Sequence, residues 1–269
     1  MLKDITFGQY FEGNSFVHRL DPRNKILLLI ATIVLTFIGS NFYALSIAAT
    51  LIICVMLLSR IPLRMYLKNL KAVLPIIIFT GIINLFYAAE GTALFTLWKL
   101  TITTGGVYRS VYMASRIILL ILVSAVLTYT TTPNDLTDAI ESILSPLKFV
   151  GLRSAVHTLA MMMTIALRFI PTLVEETQKI MNAQKARGVD FENGTLRERI
   201  KALIPILIPL LISSVRRAYE LAEAMECRCY NGGEGRVRMK QLTFSWRDAI
   251  AAVIIIILAA AIIAVNILL

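Results

Sequence analysis

The sequence predicts an all-α, polytopic membrane protein with about five transmembrane helices and a helical cytoplasmic or interfacial domain inserted before the last of them. Three observations predict it. Of the 269 residues, 57% are hydrophobic and 16% charged, with a mean hydropathy of +0.74, where a soluble domain carries about a quarter charged residues. The apolar residues gather into runs close to bilayer length. The net charge of +10 falls largely outside those runs, as expected for loops facing anionic headgroups rather than for a nucleic-acid-binding surface.

The first span is Ile26–Ile38, entered through Asp21, Pro22, Arg23, Asn24 and Lys25. It lies too far from the N-terminus for a signal peptide. Gly39-Ser40-Asn41 is a turn signal, so Phe42–Leu58 is expected as a second span returning from the first. Arg60, Arg64, Lys68 and Lys71 follow without an acid, a strong inside marker. Val73–Ala89 is the third span. Residues 90–106, with Glu90, Trp98 and Lys99, are expected as an outer loop. The fourth span, about 107–128, contains Arg116, which needs a structural partner at that depth. Ala249–Leu268 is the last, preceded by Arg238, Lys240 and Arg247. These loops place the N-terminus inside and the C-terminus outside. Residues 1–128 are thus a membrane region with four spans, 129–245 the inserted domain and 246–269 the final span.

The insert carries 15 Lys/Arg against 12 Asp/Glu. Thr132 or Asn134 is expected to cap a helix through Leu136–Leu144. A Met-rich helix, Leu152–Glu176, is expected to be interrupted at Arg168 and Pro171. A polar stretch, Leu173–Lys185, follows and ends at Gly188, which suits a helix C-terminus. Ala202–Ile212 is a second apolar piece, expected to be broken by Pro205 and Pro209, leading into a helix over Val215–Cys227. If both apolar pieces crossed the bilayer the chain would have seven spans; their prolines and methionines suit interfacial packing instead.

The insert contains a repeat. Ala183–Arg187 aligns with Ala224–Arg228 at an offset of 41, which also pairs Ile180 with Leu221. Each copy ends in an arginine between small residues: Ala186-Arg187-Gly188 and Cys227-Arg228-Cys229. Two equivalent projecting arginines suit two equivalent receptors; the plainer alternative is a pair of solvated helix ends. No GxxxxGK[ST] or HExxH is present. Asn231–Gly235 reads as a flexible turn, His157 as a packed or interfacial histidine, and Cys227 and Cys229 as small packing residues rather than metal ligands. Adjacent Glu175 and Glu176 make no carboxylate dyad.

With these residues in view, the chain resembles the transmembrane coupling subunits of energy-coupling factor (ECF) transporters over essentially its whole length. The resemblance rests on Asp21–Lys25, on Arg116–Leu136 including Thr131-Thr132-Pro133-Asn134-Asp135, and above all on the two arginine tripeptides, the second of which keeps only the arginine of Ala-Arg-Gly. Tyr230–Arg236 resembles the subtype found in Gram-positive bacteria. The resemblance implies a non-catalytic bacterial membrane scaffold for vitamin or micronutrient uptake. It would join two ABC-type ATPases to one small membrane S-component that binds substrate. ATP and Mg would sit on the ATPases, with no cofactor on this chain. The arginine motifs would enter grooves on the ATPases, and coupling helices would lie under the S-component. The Met-rich helix then offers Leu159, Met162, Met163 and Ala166 as an interface with the S-component or the neighbouring coupling helix. A coupling permease dedicated to biotin or cobalt is the near alternative. A self-contained secondary transporter is the distant one, and would want polar groups at the midplane of paired half-helices.

Overall fold

A computed structural model describes residues 10–87, 92–97, 100–144, 153–189, 191, 195–231 and 243–268. The element order is α1 (Pro22–Ile38), α2 (Phe42–Ser59), α3 (Leu63–Tyr87), β1 (Ala93–Leu97), β2 (Leu100–Thr103), α4 (Thr104–Thr130), α5 (Pro133–Leu144), α6 (Arg153–Ala186), α7 (Leu196–Cys227) and α8 (Trp246–Leu268). The chain forms two compact units, one containing α1–α4 and α8, the other α6 and α7, with the boundary falling inside α5.

In the first unit, sequence chemistry sets each helix end. Asp21 caps α1 by accepting the Arg23 N–H at 2.9 Å, and Pro22 occupies the first turn, where a missing N–H costs nothing. The Gly39 N–H closes α1 on the Leu35 carbonyl. α2 stops at Arg60, which takes a left-handed conformation with φ 55°. Thr103 caps α4 through the Gly106 N–H. Gly106 lets α3 and α4 meet: a Cβ there would lie 2.6 Å from the Leu85 carbonyl oxygen. The core gathers Leu45, Ile52 and Met56 of α2 with Tyr66, Leu119, Val126 and Tyr129. A second cluster packs Leu35 and Ile262 onto the small Ala44 and Ala48.

The buried charged groups Asp248, Lys25 and Asp21 of this unit are hydrogen-bonded. Asp248, 1% exposed, accepts the Asp21 N–H at 2.8 Å, the Ser245 N–H at 2.8 Å and the Asn24 amide. The Lys25 ammonium donates to the Thr130 carbonyl at 2.9 Å and to the His18 carbonyl at 3.1 Å. His18 itself bridges Ser15 and the Phe11 carbonyl. Burial pulls its pKa below the ordinary histidine value, with Lys25 acting in the same direction and the Phe11 hydrogen bond opposing both. Arg116 has the structural partner its depth requires. Its guanidinium donates to the Gly39 carbonyl and the Tyr112 hydroxyl at 2.6 Å and lies over the Tyr112 and Phe37 rings.

Several expected boundaries change. α3 begins at Leu63, so Arg64, Lys68 and Lys71 ride on its first turns rather than on a loop; no glycine or proline lies between Leu63 and Pro75. Ala93–Leu97 and Leu100–Thr103 pair as antiparallel strands where a loop was expected, although helices carry the fold. Glu90, Trp98 and Lys99 lie outside the described residues, as do residues 145–152 and 232–242. α6 and α7 are single helices of 34 and 32 residues that run through Pro171 and through Pro205 and Pro209, not the broken pieces expected. The Thr172 hydroxyl donates to the Phe169 carbonyl beside the first proline, a local side-chain bond to the helix backbone.

Among the described residues five helices are long and apolar enough to cross a membrane: α2, α3, α4, α6 and α8. The set differs from the expected one by a single member. α1, with 17 residues, is about 26 Å long at 1.5 Å per residue, just under a bilayer core, and packs among α2, α4 and α8. α6 gains its length by continuing through Pro171.

Candidate docking site

The site is built on α6 and α7, which pair with each other. α7 starts at a capping box in which the Thr195 N–H donates to Glu198 at 2.9 Å. α5, which precedes α6, is capped by Thr132, whose hydroxyl accepts the Asp135 N–H at 3.1 Å.

Both arginine tripeptides are helix stops of one design. At the end of α6, the Gly188 N–H returns to the Lys185 carbonyl at 3.0 Å and the Val189 N–H to the Gln184 carbonyl at 3.1 Å. At the end of α7, the Cys229 N–H returns to Glu226 at 2.8 Å and the Tyr230 N–H to Met225 at 3.0 Å. Each set is the doubled hydrogen bond of a Schellman motif, which places the residue after the cap in the left-handed region. Gly188 has φ 85° and Cys229 has φ 56°. The third letter of each tripeptide is therefore fixed by the backbone. A Cβ on Gly188 would meet nothing within 4 Å, so conformation alone favours glycine there.

Arg187 and Arg228 occupy the cap positions. Both are exposed, as are Ala186, Gly188, Cys227 and Cys229. Neither arginine makes an ion pair with another described residue. The two thiols flank Arg228 at the surface rather than packing inward as expected. Among the described residues no cluster of His, Cys, Asp and Glu could hold a metal ion. His157 sits 3.4 Å from Glu141, a packed position.

The helices are tied at a point the sequence reading passed over. The Glu176 carboxylate accepts the Arg217 guanidinium at 2.8 Å and the Ser213 hydroxyl at 2.5 Å. Residues 176 and 217 stand one repeat apart, so the pair joins equivalent positions of the two copies. Farther along, the Tyr230 hydroxyl reaches the Met161 sulfur at 2.9 Å.

On the Met-rich helix, Leu159, Met162 and Ala166 are exposed, Met162 by 64%, and Met163 is half-buried. α7 presents a longer apolar stripe that the sequence reading did not assign to the site. Leu203, Leu207, Leu211 and Val215 are all exposed, as is Tyr219 one turn on. The signal was present, because Ile200, Leu203, Ile204, Leu207, Ile208, Leu211 and Ile212 follow helical spacing; treating Pro205 and Pro209 as breaks hid it.

The family described as CbiQ, cobalt transport protein, matches residues 13–239. A protein named energy-coupling factor transporter transmembrane protein EcfT from Ruminiclostridium cellulolyticum is 48% identical over 257 residues, covering 96% of this chain and 95% of the relative. One of the same name from Thermosediminibacter oceani is 49% identical over 250 residues, 93% of each chain. That of Bacillus subtilis is 42% identical over 260 residues, 97% of each. The chain belongs to the EcfT family. In this EcfT-family chain the two arginine tips and the apolar stripes of α6 and α7 occupy one compact unit.

Proposed function

We propose that this chain is the transmembrane coupling subunit of an ECF-type importer, linking two ATPase subunits to a substrate-binding S-component. The family assignment supports that role. The observation that carries the assignment of parts is the matched pair of arginine caps: two exposed guanidiniums with the same helix-stop geometry, 41 residues apart. An arginine fork makes several charge-assisted hydrogen bonds to carboxylates or carbonyls, which a lysine point charge does not reproduce. Ala186-Arg187-Gly188 enters one ATPase and Cys227-Arg228-Cys229 the other. Leu159, Met162, Met163 and Ala166, with the α7 stripe, meet the S-component, whose own apolar surface the flexible methionines accommodate. The chain performs no chemistry itself. It converts a change in ATPase spacing into movement of two long helices.

The protein is a multi-pass membrane protein with a cytoplasmic helical domain. In the finer assignment, residues 1–128 hold four spans, 129–245 form the coupling domain and 246–269 the last span, which ends outside. Single-cysteine labelling from outside reaches position 269 and not position 190 under this topology; labelling at 190 instead would place the α6–α7 connection outside.

The deciding experiment purifies the complex and measures uptake after reconstitution. Arg187→Ala or Arg228→Ala alone impairs ATP-driven uptake while the other contact holds the assembly. The double substitution abolishes uptake and weakens ATPase retention, since removing one partner of a buried charge pair costs about 2–5 kcal/mol. Wild-type uptake and retention in the double variant would return both arginines to solvated helix ends.

A further inference from the structure

The membrane bundle contains an apolar groove that the coupling role does not use. Its walls are Leu28 and Leu29 of α1, Ile52 and Val55 of α2, Val126 of α4 and Ile255 of α8. Phe16, Val17 and Leu20 of the N-terminal arm also line it. The cavity is narrow, ≈ 130 Å³ in volume, and opens to the surface of the bundle. Phe16, Leu58 and Ile254, which line the mouth, remain exposed, whereas Ile52 is 1% exposed.

The few polar groups on the lining have internal partners. Thr32 bonds the Leu28 carbonyl and Thr130 the Val126 carbonyl, and the Lys25 ammonium bonds the Thr130 and His18 carbonyls. The groove therefore offers a polar ligand little and a hydrocarbon a close fit. A helix is about 10 Å across and does not enter between side chains buried to this degree; a single linear chain does.

Cations mark the same end of the bundle. Arg60 follows Leu58 by two residues and is exposed. Arg247 lies one helical turn below Ala251, a lining residue, on the same face of α8. Arg19 belongs to the N-terminal arm and is exposed. None of the three makes an ion pair with a described residue. Asp21 and Asp248 are buried in hydrogen bonds to backbone N–H groups, Asp135, the carboxylate nearest in effect to Lys25, accepts the Thr132 hydroxyl, and Glu12 is the exposed carboxylate of the described arm. The rim is thus net positive around an apolar slot.

We propose that this groove binds one anionic phospholipid, with an acyl chain threaded among α1, α2, α4 and α8 and the headgroup phosphate held by Arg19, Arg60 and Arg247. The proposal requires only that the bundle spans a bilayer and stands apart from the coupling reading.

The test is native mass spectrometry of the full-length protein in its complex, washed in mild detergent and exchanged with phosphatidylglycerol or with phosphatidylcholine of the same chains. One phosphatidylglycerol per chain is expected to persist, favoured by at least about tenfold, as three interfacial cations imply. Val55→Trp fills the groove and removes the bound lipid of either type. Arg19→Gln with Arg60→Gln and Arg247→Gln keeps a bound lipid but loses the preference. Ala251→Leu, a smaller intrusion, repeats the filling test should the tryptophan variant lower the melting temperature without lipid. Equal retention of both lipids by the wild type, or retention unchanged by filling and by the arginine substitutions, means annular lipid only and overturns the site.

Discussion

The Asp248 carboxylate at the start of α8 accepts the backbone N–H of Asp21 at 2.8 Å, across 227 residues of sequence. The first and last helices of the membrane bundle are thereby latched at one end, with Asn24 and Ser245 satisfied by the same residue. Asp248→Ala strands the buried Asp21 N–H, while Asn24 keeps its bond to the backbone carbonyl of residue 248, and is expected to cost about 1–3 kcal/mol. Asp248→Asn keeps one acceptor and loses less. Thermal melting of the purified protein in detergent ranks the two; equal melting temperatures for both variants and the wild type would dismiss the latch.

The Glu176–Arg217 contact is expected to matter for coupling more than for folding. Glu176→Gln keeps the Ser213 hydrogen bond and weakens the charge pair. Glu176→Arg reverses it and should reduce uptake several-fold, with recovery when combined with Arg217→Glu. Reconstituted uptake measures this. Failure of the double exchange to recover any activity would mean that the pair does not hold the two helices in register.

The two helix stops respond in opposite directions to substitution. Gly188→Ala places a Cβ in the left-handed region at roughly 1–2 kcal/mol, whereas Cys229→Gly relieves the same strain. ATPase retention under increasing detergent is expected to fall for the first and hold or rise for the second. Loss of retention in Cys229→Gly would give the thiol itself a role in docking.

Met162→Glu places a charge on an apolar surface of α6. S-component recovery on purification is expected to drop while both ATPases remain. Leu211→Glu on α7 is expected to do the same. Normal recovery from both variants would reassign these stripes to lipid or to local packing.

Much of this was legible before any coordinates. The spans starting at Phe42 and Ala249 show themselves by hydropathy, because lipid demands uniform apolarity over a full helix. Gly188 announces a helix end because few other residues accept its φ. What escaped reading was tertiary. Proline lowers helix propensity locally, yet α6 and α7 continue through three of them, because two long helices packed together tolerate a missing hydrogen bond. The Glu176–Arg217 pair was invisible, since adjacent acids suggest nothing until the repeat is folded back on itself. Cys229 hid its left-handed conformation behind a side chain that seldom adopts it. The strands Ala93–Leu97 and Leu100–Thr103 carried no alternation strong enough to announce them.

The spacing of four residues has a mechanical consequence. From Glu176 to Arg187, and from Arg217 to Arg228, the chain runs 11 residues, or about 16 Å of helix. The tie between α6 and α7 is therefore a fulcrum with two arms of equal length, each ending in an arginine. A ten-degree change in the angle between the helices would carry one tip through about 3 Å with the other helix held still, or each through about half that. Two identical motors pulling on such a lever would meet equal resistance, and the linkage would divide their work evenly without any further symmetry in the membrane bundle.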